Sequence, residues 1–121
     1  MRRWNGWGDD SFSMELPQQA GLFLTELLGQ GTALSDASLA DVIALVPASR
    51  LPSHSLISTD AELRVRHARG QSLADWLAMR SGEFGVFPDG VALVENSEQI
   101  QQLLHYAQQH NVELITYGGG T

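Results

Sequence analysis

Residues 88–121 constrain this chain more than any other stretch. Gly90-Val91-Ala92-Leu93-Val94 is a short apolar, β-branched run behind a Pro88-Asp89-Gly90 turn. Asn96 is placed to cap a helix, with Gln99 three residues on. Ile100, Leu103, Leu104 and Ala107 then recur at helical spacing, and Gln101, Gln102, Gln108 and Gln109 form a polar face. His110 and Asn111 close the helix, and Val112-Glu113-Leu114-Ile115-Thr116 is a second apolar run. Strand, helix, strand at this spacing predicts a βαβ unit with parallel strands and a right-handed crossover. The second run leads straight into Tyr117-Gly118-Gly119-Gly120-Thr121. Two parallel strands make a poor sheet by themselves. The pattern therefore predicts the front part of something longer.

The residues before it read as helical. Ala20, Phe23, Leu24, Leu27 and Leu28 predict a helix over 16–28, with Gly29 as its stop. Leu39, Val42, Ile43 and Val46 predict a second helix over 35–46, capped by Ser35 or Ser38 and ended by Pro47. A third starts at Ser72, where Ser72-Leu73-Ala74-Asp75 resembles a capping box; Leu73, Trp76 and Leu77 should face inward, and Gly82 should end it. Residues 47–60, with two prolines and four serines, read as a linker. Residues 1–15 read as irregular, with Trp4 and Trp7 at least partly buried on the body.

Charge and composition narrow the function. Seven arginines, no lysine and fourteen acids leave a net charge of −7. Such a chain repels a phosphate backbone, which argues against nucleic-acid partners. No lysine means no phosphate-loop lysine and no Schiff base, and no cysteine means no disulfide or thiolate chemistry. No apolar run approaches a membrane span, and the start lacks a signal-peptide core. The expectation is a cytoplasmic domain.

Among the motifs, Gly118-Gly119-Gly120-Thr121 follows a predicted parallel strand, where α/β proteins bind ligands. Glycines there let backbone N–H groups approach an anion, and the Thr121 hydroxyl adds a donor. The functional reading is a pyrophosphate cradle; the plain one is a turn. Gly29-x-Gly31 follows a helix rather than a strand and reads as a helix stop. Arg64, Arg66, His67 and Arg69 could hold a phosphate or an acidic partner, but in so acidic a chain pairing with its own carboxylates is favoured. His105 and His110 do not share a helical face, so no metal site is predicted. No catalytic constellation stands out.

Three segments carry a resemblance. They are Trp4-Asn5-Gly6-Trp7-Gly8; Arg66-His67-Ala68-Arg69-Gly70-Gln71-Ser72-Leu73, leading through Arg80-Ser81-Gly82 to Pro88-Asp89-Gly90-Val91; and His110 through Thr121. In these, in order, the chain resembles the N-terminal part of the alkyldihydroxyacetonephosphate synthase family. These are flavoproteins of the vanillyl-alcohol oxidase type with a PCMH-type FAD-binding domain. Glu95 and Thr116 stand where that family often has proline.

The resemblance implies an α+β fold. Residues 1–86 would be a mostly helical N-terminal region, and residues 87–121 the first βαβ unit of a PCMH-type FAD-binding domain, cut short. FAD is the implied cofactor, with Gly118, Gly119, Gly120 and Thr121 around its pyrophosphate and Tyr117 lending its backbone. The implied chemistry is acyl-to-alkyl exchange on a dihydroxyacetone phosphate ester, or a related FAD-linked 2-hydroxy-acid oxidation. The partners would be a small-molecule substrate and the remainder of the flavoenzyme chain. No catalytic residue falls within residues 1–121, and these residues alone would be inactive. The competing reading is a stand-alone, non-enzymatic helical interaction module.

Overall fold

A computed structural model describes residues 3–32 and 34–120. Among these described residues there are five helices: α1 (Gln18–Leu28), α2 (Leu39–Ala44), α3 (Ala61–Arg66), α4 (Leu73–Ser81) and α5 (Ser97–His110). Their ends follow the local chemistry. Ser38, Asp60, Ser72 and Asn96 each accept a backbone N–H of the first helical turn. Ser72 and Asp75 complete a reciprocal capping box. Gly82 and Asn111 end α4 and α5 in the left-handed conformation. Helix α2 starts later than Ser35, because Ser38 takes the cap and bonds the Asp41 N–H at 3.1 Å.

Helix α3 is the element that sequence periodicity did not disclose. It is only six residues long, and its basic residues read as a charged patch. Its cap Asp60 and the Glu62–Arg66 pair, 2.7 Å apart one turn on, are local helix signals.

One core lies where α2, α3 and α4 meet. Val42, Val65, Met79 and Phe84 are buried there, with Trp4, Leu39, Ile43, Trp76 and Phe87 packed around them. Phe84 stacks between Trp4, with centroids 6.3 Å apart, and Phe87, at 5.3 Å. Trp4 is thus partly buried as expected. Trp7 is not; it is 70% exposed. In α4, Trp76 and Met79 turn inward, but Leu73 and Leu77 face out.

The 47–60 segment is a strap rather than a linker. Arg64, 2% exposed, donates from Nε to the Pro88 carbonyl at 2.6 Å and from Nη1 to the Pro47 carbonyl at 2.8 Å. Arg50 binds Asp89 through its backbone N–H and guanidinium. Tyr106 Oη donates to the Pro52 carbonyl at 2.7 Å, and Ser58 pairs with Val91 in an antiparallel bridge. Gly90 is required at that crossing: a Cβ there would lie 2.5 Å from Ile57 Cγ2.

The molecule is mixed helical with little strand. Helix α5 forms as the spacing predicts, but residues 91–94 and 112–116 do not pair with each other among the described residues. Val91 pairs with Ser58 instead, and antiparallel. The physical reason is competition: two parallel strands by themselves gain little, and the backbone of Val91 is taken by Ser58. The inward face of α5 is also turned from the expected stripe. Leu103, Tyr106 and Ala107 are buried, whereas Ile100 and Leu104 are 47% and 57% exposed. The strap covers the Tyr106 side, where the phenol finds its acceptor. No described helix is long and apolar enough to cross a membrane.

Two outcomes follow from this packing. Leu103→Ala should cost about 2–5 kcal/mol, while Leu104→Ala should stay within about 0.5 kcal/mol; urea midpoints of the two variants check the facing of α5. Acid should also weaken the fold. Arg80 holds Asp36, the Ser72 hydroxyl holds Asp75 and Arg50 holds Asp89 below the usual carboxylate range. Depressed folded values give stability that is complete above the ordinary carboxylate value and lost as pH falls through the depressed ones. The midpoint should therefore drop on acidification below about pH 5, and Asp36→Asn should flatten part of that slope.

Candidate functional site

The glycine-rich segment is held by the residue that opens it. Tyr117 Oη donates to the Arg69 carbonyl at 3.0 Å, with the Arg66 carbonyl at 3.4 Å. Its ring meets the His67 imidazole edge-on, centroids 4.9 Å apart. His67 is fixed in turn, its Nδ1 donating to the Leu63 carbonyl at 2.7 Å. The C-terminal turn of α3 therefore anchors the start of the glycine loop.

The turn between α3 and α4 packs against the far side of that loop. A Cβ at Gly70 would lie 2.8 Å from the Gly120 carbonyl oxygen and 3.0 Å from Asp75 Oδ2. Only glycine lets the two backbones approach this closely. Gly120 itself has φ of +79°, the left-handed region. At Gly118 a Cβ would meet nothing within 4 Å, so one side of the loop is open. Below, Arg69 donates to the Glu83 and Phe84 carbonyls and stands 3.8 Å from Asp75.

A cleft of about 350 Å³ opens beside the loop, lined by Gly6, Trp7, Gly8, Gln71 and Gly119. The three segments quoted from the sequence thus meet at one place, although they are far apart along the chain. Gln71 is oriented by Trp76, whose Nε1 donates to its Oε1 at 3.0 Å. Tyr117, Gly118, Gly119 and Gly120 belong to this region; Thr121 lies outside the described residues. The lining of the cleft is uncharged. Its chemical offer is backbone polar groups, one carboxamide and one indole.

The basic cluster divides by function. Arg66 pairs with Glu62 and Arg69 with Asp75, as its setting in an acidic chain favoured. Arg64 departs from that reading, because it takes backbone carbonyls instead. A second hollow, about 280 Å³, is lined by Ser53, His54, Gln102, His105, Tyr106, Gln109 and His110. The strap brings His54 onto α5 there, which spacing along the chain could not disclose. No group of three or more His, Cys, Asp or Glu is arranged to hold a metal among the described residues.

No protein-family profile matches the chain. Curated relatives do. An alkyldihydroxyacetonephosphate synthase of Trypanosoma brucei brucei is 35% identical over 69 residues, 57% of this chain and 11% of that protein. That of Dictyostelium discoideum is 32% identical over 65 residues, again 11% of its length. Two solved structures of alkyldihydroxyacetonephosphate synthase superpose on 99% of this chain, with TM-scores of 0.70 and 0.66 at 21% identity. The relatives of this chain are alkyldihydroxyacetonephosphate synthases. The likeness is partial. It spans about a tenth of the curated relatives' length and 28% of the solved chains. At that identity the structural likeness concerns the fold.

The close approach of the two loops makes a local expectation. Gly70→Ala should displace the Gly120 backbone and cost about 1–3 kcal/mol, as overpacking does. Tyr117→Phe should cost about 0.5–1.5 kcal/mol and speed amide exchange at residues 118–120. Hydrogen exchange read by NMR separates these from a uniform loss of stability.

Proposed function

We propose that this chain forms the N-terminal region and the phosphate-holding loop of an FAD-dependent enzyme resembling alkyldihydroxyacetonephosphate synthase. The observation that carries the reading is the convergence of the tryptophan, Arg66–Leu73 and glycine segments on one uncharged cleft. The partial likeness to the synthases supports it. In this reading residues 1–86 are the helical N-terminal region and residues 87–121 begin a PCMH-type domain. Residues 91–94 and 112–116 become paired strands once further strands flank them; Leu93, Leu114 and Ile115 are apolar and exposed.

The residues suit FAD on two counts. The loop is open at Gly118, and no carboxylate lines the cleft. Gly118, Gly119, Gly120 and Thr121 would surround the pyrophosphate with backbone donors, and Tyr117 would hold the loop in place through Arg69. Bound FAD supplies the redox or adduct chemistry, and the protein supplies orientation and electrostatics. The substrate would be a small molecule. Acyl-to-alkyl exchange on a dihydroxyacetone phosphate ester is the first candidate, and 2-hydroxy-acid oxidation the second. Residues 1–121 hold no catalytic residue in this reading, so the chain alone is inactive.

A second reading, a stand-alone helical interaction module, rests on α1. None of its residues is buried, and Leu22, Phe23, Leu27 and Leu28 are exposed.

Affinity for the isolated phosphates should be low. Ordering loop residues costs roughly 1–2 kcal/mol each, against about 1 kcal/mol net per hydrogen bond. Titration of the labelled chain with inorganic pyrophosphate, followed by NMR, should move the Gly118, Gly119 and Gly120 amides with a dissociation constant in the millimolar range, about −4 kcal/mol. Unmoved glycine amides, with α1 resonances that depend on protein concentration, would favour the module.

A further inference from the structure

We propose that Trp7 is the platform on which a flat heteroaromatic ring of a pyrophosphate-bearing nucleotide stacks. The inference rests on the reading of the adjacent glycine loop as the pyrophosphate cradle.

The indole is out of place by ordinary burial rules. Trp4, three residues earlier, lies on Phe84. Trp7 is left 70% exposed, although burying an aromatic ring is worth several times what a small side chain gains. A frayed terminus would explain that, but the segment is tied down. The Arg3 N–H donates to the Gly8 carbonyl at 2.9 Å, and Arg3 Nη2 to the Phe12 carbonyl at 2.6 Å. Phe12 N–H closes back on the Asp9 carbonyl at 3.2 Å. Gly8 takes φ of +93°, which favours glycine and turns the chain. A hydrogen-bonded turn therefore presents the indole.

What it faces is specific. Trp7 shares its cleft with Gly119 and with Gln71, whose carboxamide Trp76 fixes. A nucleotide that places its pyrophosphate on the loop carries a flat ring one sugar or ribityl chain away. Stacking such a ring on the indole recovers the apolar area now left in water, and any base offers a π-face for it. The lining is neutral, and Asp75, which approaches Gly70, is engaged by Ser72 and Arg69. A cleft of about 350 Å³ is at the small end of ligand sites, large enough for one ring and its linker.

The test is an NMR titration of the 121-residue chain with inorganic pyrophosphate, ADP, FMN and FAD, following the glycine amides and the Trp7 indole N–H. Pyrophosphate should move the Gly118–Gly120 amides and leave the Trp7 indole still. ADP and FAD, which carry the pyrophosphate, should move both, ADP reporting the adenine ring; FMN, with a single phosphate, reports the flavin ring at the Trp7 indole. Trp7→Ala should weaken the responding nucleotide at least about fivefold while pyrophosphate affinity is unchanged. That unchanged affinity also shows the variant is folded. Trp7→Phe should keep most of the nucleotide affinity. Equal nucleotide affinity in wild type and Trp7→Ala, with the glycine amides still moving, would overturn the stacking role and leave the cradle reading intact. Glycine amides that ignore all four probes would overturn the cradle and the stacking role together.

Discussion

A guanidinium buried without a carboxylate holds the middle of this protein together. Arg64 is 2% exposed; its Nε donates to the Pro88 carbonyl and its Nη1 to the Pro47 carbonyl, while Nη2 is buried with no hydrogen-bond partner among the described residues. Burying a charge is expensive unless it is well hydrogen-bonded. Here the bonds do a job that no apolar residue could. They join the end of the α2 segment to the turn that precedes α5, across the short helix α3. Both acceptors are proline carbonyls, in stretches that cannot form regular backbone ladders. Asp89 is close enough for the Arg64 charge to favour its ionised form, after the larger effect of Arg50. With Arg64 in place, the strap lies over α5 and Tyr106 finds Pro52. Without it, two carbonyls and a helix face would be left without partners.

The cleft depends on that frame at one remove. Helix α3 carries Arg64 and runs directly into His67, Arg69 and Gly70 of the turn that follows it. Those residues hold Tyr117 and admit the Gly120 backbone. One short helix therefore fixes the strap and presents the glycine loop. The aromatic stack of Trp4, Phe84 and Phe87 pins the N-terminal turn from the other direction, which brings Gly6, Trp7 and Gly8 to the same wall. The loop is shaped by its neighbours rather than by three glycines alone.

The uncovered surfaces have a common character. Leu22, Phe23, Leu27 and Leu28 of α1, Leu104 of α5, and Leu93, Leu114 and Ile115 are apolar and exposed. The chain covers 28% of the solved synthase chains whose fold it shares.

What the sequence determined by itself was local. Ser72 with Asp75, Asn96 with Gln99, Gly82 and Asn111 mark helix ends because capping needs only residues within one turn. The existence of α5 was legible from periodicity, and the family likeness from three short motifs. Which face of α5 is buried was not legible. Leu104 fits the apolar stripe as well as Leu103 does, and the choice fell to a strap whose prolines and serines look like a linker. The role of Arg64 and the meeting of Trp7, Gln71 and Gly119 were decided only in three dimensions. Each depends on backbone groups far apart along the chain, and a carbonyl leaves no mark in a sequence of side chains.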